Sequence, residues 1–181
     1  MIIFFGPAGA GKSVQGQLLA AHHGWRWLSA GQLLRDTHDH ELLKEMSTGN
    51  LVDNTKVNAI VAAALKRAHD VDHVVLDGFP RHLDQAKWLI ASQPEHGRSI
   101  SAVVVIDAPK EELVHRLHLR GRLDDTPDAI EERLAIFEHE IAPILDYFAS
   151  QQVKIIRIDG TGAVAQVHDR IEAELRACSL V

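Results

Sequence analysis

The segment Gly6-Pro7-Ala8-Gly9-Ala10-Gly11-Lys12-Ser13 follows the apolar run Ile2-Ile3-Phe4-Phe5 and precedes a stretch of helical character. A buried strand, a glycine-rich turn and a helix in that order form a cradle for polyphosphate. The backbone must wrap the phosphates closely and present successive N–H groups inward, in conformations that a side chain would obstruct. Lys12 then reaches the β- and γ-phosphates and Ser13 offers a hydroxyl toward Mg²⁺. The N-terminus of the following helix adds a favourable dipole. The strand and helix on either side distinguish this segment from an ordinary glycine-rich turn, and they mark the first unit of an α/β fold.

The rest of the chain agrees with that class. Short apolar runs alternate with longer segments of helical period, the pattern of a parallel sheet covered on both faces. Strands are predicted at Ile2 to Phe5, Trp25 to Leu28, His73 to Leu76, Ala102 to Ile106 and Lys154 to Ile158. Helices are predicted at Lys12 to His22, from Pro109 through Arg120, at Pro127 to Ala149 with a bend at Pro143, and at Ala163 to Ala177. Between the second and third strands lies an extra block with helical periodicity at Ser29 to Arg35, Glu41 to Thr48 and Thr55 to Ala68, interrupted by a turn at Gly49-Asn50. The third strand runs out into Asp77-Gly78-Phe79-Pro80-Arg81. Ligands of open α/β sheets gather at the carboxyl ends of strands, so Asp77 faces the same crevice as the phosphate loop. It is suited to hold Mg²⁺ through waters.

Composition narrows the function classes. The 181 residues suit one domain with small inserts. No apolar run approaches the ~20 residues of a membrane span. Met1 leads straight into the first strand without a basic leader, so a cytoplasmic protein is expected. The net charge of −6 argues against broad nucleic-acid binding, and the arginines therefore matter locally. Cys178 is the only cysteine, which excludes a multi-cysteine zinc site. The 12 histidines, among them His22-His23, His38/His40 and His115/His118, are read as occupying polar turns and helix ends without a clustered carboxylate partner, so no structural metal is expected.

Five segments occur together in order: the loop, Ser29-Ala30-Gly31-Gln32-Leu33-Leu34-Arg35, Gly49-Asn50-Leu51-Val52, Asp77-Gly78-Phe79-Pro80-Arg81 and Gly121-Arg122-Leu123-Asp124-Asp125. Together they closely resemble the adenylate kinase family over essentially the whole chain. The resemblance implies a single P-loop kinase domain over 1–181, a three-layer α/β fold with a five-stranded parallel sheet. It also implies a helical monophosphate-binding insert at 29–58 and a truncated lid at 120–126. It implies transfer of the γ-phosphoryl of Mg·ATP to AMP, with Mg²⁺ as cofactor and no zinc. ATP would be held by Gly9, Ala10, Gly11, Lys12, Ser13 and Val14, with Arg116 over the donor adenine. AMP would be held by Ala30, Arg35, Val52, Gly78, Arg81 and Gln85, the last reading the adenine edge. Lys12, Arg81, Arg120, Arg122 and Arg133 would surround the transferring group, with Asp124 and Asp125 beside them as further candidates for the metal.

Three departures from the family pattern stand out. Ser13-Val14 replaces the usual Gly-Thr after the loop lysine. Ala30 replaces a threonine of the acceptor insert. The lid is very short, with only Gly121 between Arg120 and Arg122. A UMP/CMP kinase and a nucleotide-binding regulatory module without turnover are the competing readings. Gln85 disfavours the first, and a full set of groups aimed at a transferring phosphoryl disfavours the second. The resemblance implies ATP and AMP as small-molecule partners, and a monomer is expected because no long apolar helix face stands exposed.

Overall fold

A computed structural model describes residues 1–47, 53–121 and 125–181. β1 (Ile2–Phe5) leads through the glycine-rich loop into α1 (Lys12–His23) and then β2 (Arg26–Ser29). The helices α2 (Ala30–Asp36), α3 (His40–Ser47) and α4 (Asn54–Arg67) come before β3 (Val74–Asp77). The chain continues through α5 (Leu83–Ala91), α6 (Gln93–His96), β4 (Ala102–Asp107), α7 (Lys110–Arg120), α8 (Pro127–Ser150), β5 (Lys154–Asp159) and α9 (Val164–Ala177). The single turn α6 has no counterpart among the predicted helices. Pro94 lies in that turn and Gly97, at φ 65°, ends it.

The five strands form one parallel sheet in the order β2-β3-β1-β4-β5. β1, β3 and β4 are buried along both faces, apart from Asp107 at the end of β4. Strands covered on both sides read as continuous apolar runs, which is why the sequence showed them clearly. Alternate residues of β1 serve two cores. Ile3 and Phe5 pack with α2, α4, α5 and the C-terminal half of α8, whereas Ile2 and Phe4 pack with α1, α7, α9 and the N-terminal half of α8. α8 thus passes from one face of the sheet to the other, with Ile130 and Leu134 in one core and Ile144, Leu145 and Phe148 in the other. Pro143 lies inside this helix near the change of face, and the helix continues through it.

The chain leaves β1 toward β2 and leaves β3 toward β4, so the carboxyl ends of β1 and β3 flank the point where the strand order reverses. Crevices open at such points. β1 has the predicted bounds, and the other four strands end one residue later than predicted. β2 starts at Arg26 rather than Trp25, because its register pairs Arg26 with Val74 and Ser29 with Asp77. β4 and β5 run on to the paired Asp107 and Asp159, so the hydrogen-bonded ladder outlasts the apolar run.

One expectation is corrected here. His22 and His23, at the end of α1, do meet a carboxylate: Glu172 of α9, 149 residues away in the chain, lies 2.7 Å from His23 Nε2. The two helices pack side by side through Leu19, Ala20, Val167, Ile171 and Leu175, and only that packing brings the groups together.

Candidate active site

The phosphate loop is shaped by contacts that only glycine allows. A Cβ on Gly6 would lie 2.3 Å from the carbonyl oxygen of Ile106, so the loop can rest against the end of β4 only without a side chain there. Gly11 caps α1 in the left-handed region at φ 92°, which L side chains rarely adopt. Lys12 Nζ folds over its own loop and donates to the carbonyls of Gly6 at 2.7 Å and Pro7 at 2.8 Å. Ser13 Oγ donates to Asp77 Oδ2 at 2.6 Å, linking the start of α1 to the end of β3. Asp77 is buried, and Ser13 supplies its hydrogen-bonded partner.

This loop forms one wall of a cleft of about 610 Å³ at the carboxyl edge of the sheet. Every described residue assigned from the sequence to ATP or AMP lines it: Gly9, Ala10, Gly11, Lys12, Ser13, Val14 and Arg116 on one side, and Ala30, Arg35, Gly78, Arg81 and Gln85 on the other. Arg120, Arg133 and Asp77 line it as well. Val52, Arg122 and Asp124 lie outside the described residues, as does the Gly49-Asn50 turn. Among the described lining residues, six cationic side chains (Lys12, Arg35, Arg81, Arg116, Arg120 and Arg133) face three carboxylates (Asp77, Glu112 and Glu140). A chain with net charge −6 therefore concentrates positive charge in one cleft, the arrangement that captures a polyanion.

The cations repel one another while the cleft holds no anion. Burial pushes the Lys12 ammonium down to about 8; Asp77 acts against that shift, and Arg81 and Arg120 add to it. Burial also lowers Arg81, again with Asp77 opposing and Arg133 and Arg35 adding. The sign of the resulting pH dependence is definite. In the free protein Lys12 is protonated below about 8 and loses its charge as pH rises, whereas bound phosphates favour the charged form and raise its pKa. We expect kcat/KM for ATP to fall as pH rises through about 8, while kcat holds to higher pH, because the first reports the free enzyme and the second the complex. Parallel pH profiles of the two constants test this; a kcat/KM level through that range removes Lys12 as the controlling group.

Near α2, Arg35 sits in the last turn of the helix, which Ser29 caps by accepting from Gln32 N, and its Nη2 donates to Gln32 Oε1 at 3.2 Å. Arg81 Nε donates to Gly78 O at 3.0 Å. Gln85 is buried, and both ends of its amide have protein partners. Oε1 accepts from Arg81 N at 2.7 Å and Nε2 donates to Asn54 Oδ1 at 2.7 Å. A carboxamide still has a second N–H and a second lone pair, so these bonds orient the group and leave one donor and one acceptor. Asn54 was not singled out from the sequence. It starts α4, thirty-one positions from Gln85, and no local signal connects them.

On α7, Arg116 Nε donates to Glu112 at 2.8 Å and Nη2 to Gly160 O at 3.0 Å, which ties α7 to the turn after β5. Arg120 makes two bonds to Asp125, Nε to Oδ2 at 2.8 Å and Nη2 to Oδ1 at 2.5 Å. Arg133 Nη1 donates to the same Oδ1 at 3.0 Å. One carboxylate, its side chain 2% exposed, thus joins arginines from α7 and α8. The family resemblance set Asp125 beside these arginines as a metal candidate; that it bonds to both of them depends on where α8 begins relative to the end of α7.

The sequence profile of a protein family described as "Adenylate kinase" matches residues 4–153. The chain belongs to the adenylate kinase family. It is similar to a protein called adenylate kinase from Mycobacteroides abscessus, 37% identical over 180 residues that cover 96% of this chain and 98% of the relative. A protein of the same name from Synechococcus sp. (strain RCC307) is 38% identical, covering 96% of this chain and 97% of its own length. One from Maricaulis maris is 35% identical over 184 residues, with the same coverages. The parallel five-stranded sheet fits the P-loop fold of the adenylate kinase family. No helix among the described residues is long and apolar enough to cross a membrane.

Proposed function

We infer that the chain is an ATP:AMP phosphotransferase, moving the γ-phosphoryl of ATP onto AMP to give two ADP. The observation that carries this reading is the single cleft in which a phosphate loop meets arginines from four elements or their ends, on the scale of two nucleotides. The relatives named adenylate kinase over nearly the full chain support it. In the reaction an oxygen of the AMP phosphate bonds to the γ-phosphorus of ATP as the β,γ-bridging oxygen leaves in line. Such a transition state spreads charge over the equatorial oxygens, so catalysis is positioning and electrostatic stabilisation. Lys12 and the loop N–H groups hold the β- and γ-phosphates of ATP. Arg35 and Arg81 grip the acceptor phosphate; their planar guanidinium groups fix its direction as well as its charge. Arg120 and Arg133, aligned in advance by Asp125, meet the charge that develops on the transferring group.

Ser13 and Asp77 present hard oxygen donors at the loop, one neutral and one anionic, the donor chemistry that Mg²⁺ selects. Bound there, the ion would neutralise phosphate charge. Asp125 is assigned to orienting arginines rather than to the metal, and Arg122 and Asp124 keep the roles implied by the family resemblance. The helices α2 to α4 serve as the acceptor-binding insert and 120–126 as a short lid, in a cytoplasmic monomer.

Acceptor choice rests on Gln85. Its remaining N–H and lone pair match the N6 amino group and neighbouring ring nitrogen of adenine. A buried amide left unpaired against a pyrimidine costs roughly 1–3 kcal/mol, about ten- to hundredfold. The expected result is that AMP exceeds CMP and UMP in kcat/KM by at least that margin, and that Gln85→Ala narrows the gap mainly by impairing AMP. Steady-state assays with ATP and each monophosphate decide it. Equal use of a pyrimidine monophosphate by the wild type would defeat the AMP assignment, and no transfer to any acceptor would defeat the kinase reading.

A further inference from the structure

We propose that His22, His23, His168 and Glu172 form a binding site for a divalent transition-metal ion, of the zinc, cobalt and nickel class, that ties α1 to α9 away from the nucleotide cleft. Three imidazole nitrogens converge on one carboxylate oxygen. Glu172 Oε1 lies 2.7 Å from His23 Nε2, 3.6 Å from His22 Nδ1 and 3.8 Å from His168 Nε2. His168 Nε2 is 3.3 Å from His22 Nδ1. The donor atoms of His22, His23 and Glu172 all lie within 4.8 Å of one another. Four-coordinate bonds of about 2.0–2.2 Å place neighbouring donors roughly 3.3–3.6 Å apart, and the His22–Glu172 and His22–His168 separations, 3.6 and 3.3 Å, already have that length. Binding requires that the shortest contact open, as the metal replaces the proton between His23 and Glu172. That proton leaves to solvent or moves to the other ring nitrogen.

The arrangement follows from the helices. His168 and Glu172 are four residues apart and share a face of α9, while His22 and His23 occupy the last turn of α1, which Gly24 ends at φ 67°. That end of α1 carries the negative pole of the helix and favours a cation. Glu172 is nearly inaccessible, its side chain 5% exposed, and its other oxygen accepts from Arg176 Nη2 at 3.0 Å, which aims Oε1 at the histidines. Such outer contacts orient metal ligands. His22, 65% exposed, leaves a path for the ion from solvent. His168 Nδ1 is buried without a partner, so Nε2 is the ring's only directed nitrogen. Three imidazoles and one carboxylate suit Zn²⁺, Co²⁺ and Ni²⁺ and do not suit Mg²⁺ or Ca²⁺.

The test uses the full chain without nucleotide, in excess Mg²⁺ to occupy hard oxygen sites. Titration with Co²⁺ alone should give one equivalent bound with the intense visible bands of a four-coordinate site, and Zn²⁺ should displace it and raise Tm. His22→Ala, His23→Ala and Glu172→Gln should each weaken Co²⁺ binding at least about tenfold, and Arg176→Ala by about tenfold through loss of orientation. His115→Ala with His118→Ala should leave it unchanged. His22 is exposed enough that its variant folds, so the test survives failure of the others. Binding of the same strength in His22→Ala, a six-coordinate spectrum, or loss of binding in the His115/His118 variant instead would overturn the proposal. Kinase turnover should persist in His22→Ala, which separates this site from the nucleotide cleft.

Discussion

Lys12→Ala should reduce phosphoryl transfer by about 10²–10³-fold or more while leaving the fold intact, because one preorganised cation facing developing phosphate charge contributes on that scale. Lys12 Nζ rests on the carbonyls of Gly6 and Pro7, inside the loop rather than in either core. Its depressed pKa means the folded state tolerates the charge poorly when no phosphate is present. Below pH 8 alanine therefore removes an unfavourable desolvated charge, and Tm should hold steady or rise even as turnover disappears. Turnover and thermal unfolding measured on the same preparation check both halves. A variant that keeps more than a few per cent of the wild-type rate would take the loop lysine out of the chemistry. One that loses both rate and fold would make it structural.

Arg133→Ala should lower kcat on the order of 10²-fold with a much smaller change in the acceptor KM, since a group aimed at the transition state acts on kcat. Asp125 makes a sharper version possible. It binds Arg120 through two hydrogen bonds and Arg133 through a third, so Asp125→Ala removes bonds that orient both guanidiniums while keeping both charges. Misplacing two cations costs rate without removing either charge. The Asp125 variant should therefore lose kcat as Arg133→Ala does, and the double variant should lose less than the product of the two. Strict multiplication would show that Asp125 does not act through Arg133. A change confined to KM in Arg133→Ala would move that residue from the transferring group to binding alone.

Much of the fold was legible because burial writes itself into short apolar runs. Ile2–Phe5, Val74–Leu76 and Ala102–Ile106 are covered on both faces and could hardly be anything but central strands. β2 was placed one residue early. It is an edge strand, and the residue before it, Trp25, stacks between His23 and His73 instead of joining the ladder, so apolar character and strand pairing part company there. α6 was absent from the reading because a single turn leaves no periodicity to detect.

The phosphate loop and the apolar run into Asp77 can be found in the linear chain as local motifs, and the arginines at 35, 81, 116, 120 and 133 through the resemblance to the adenylate kinase family. By itself the sequence determined the α/β class and marked the phosphate loop, because local backbone geometry and residue chemistry suffice for those. Only the tertiary structure decided what each polar group holds. Asn54 orients Gln85, Asp125 joins Arg120 to Arg133, and Glu172 gathers three histidines. Those pairs lie on separate elements, and their approach to hydrogen-bond distance is set by how helices pack across the sheet, to which no single segment of the chain refers.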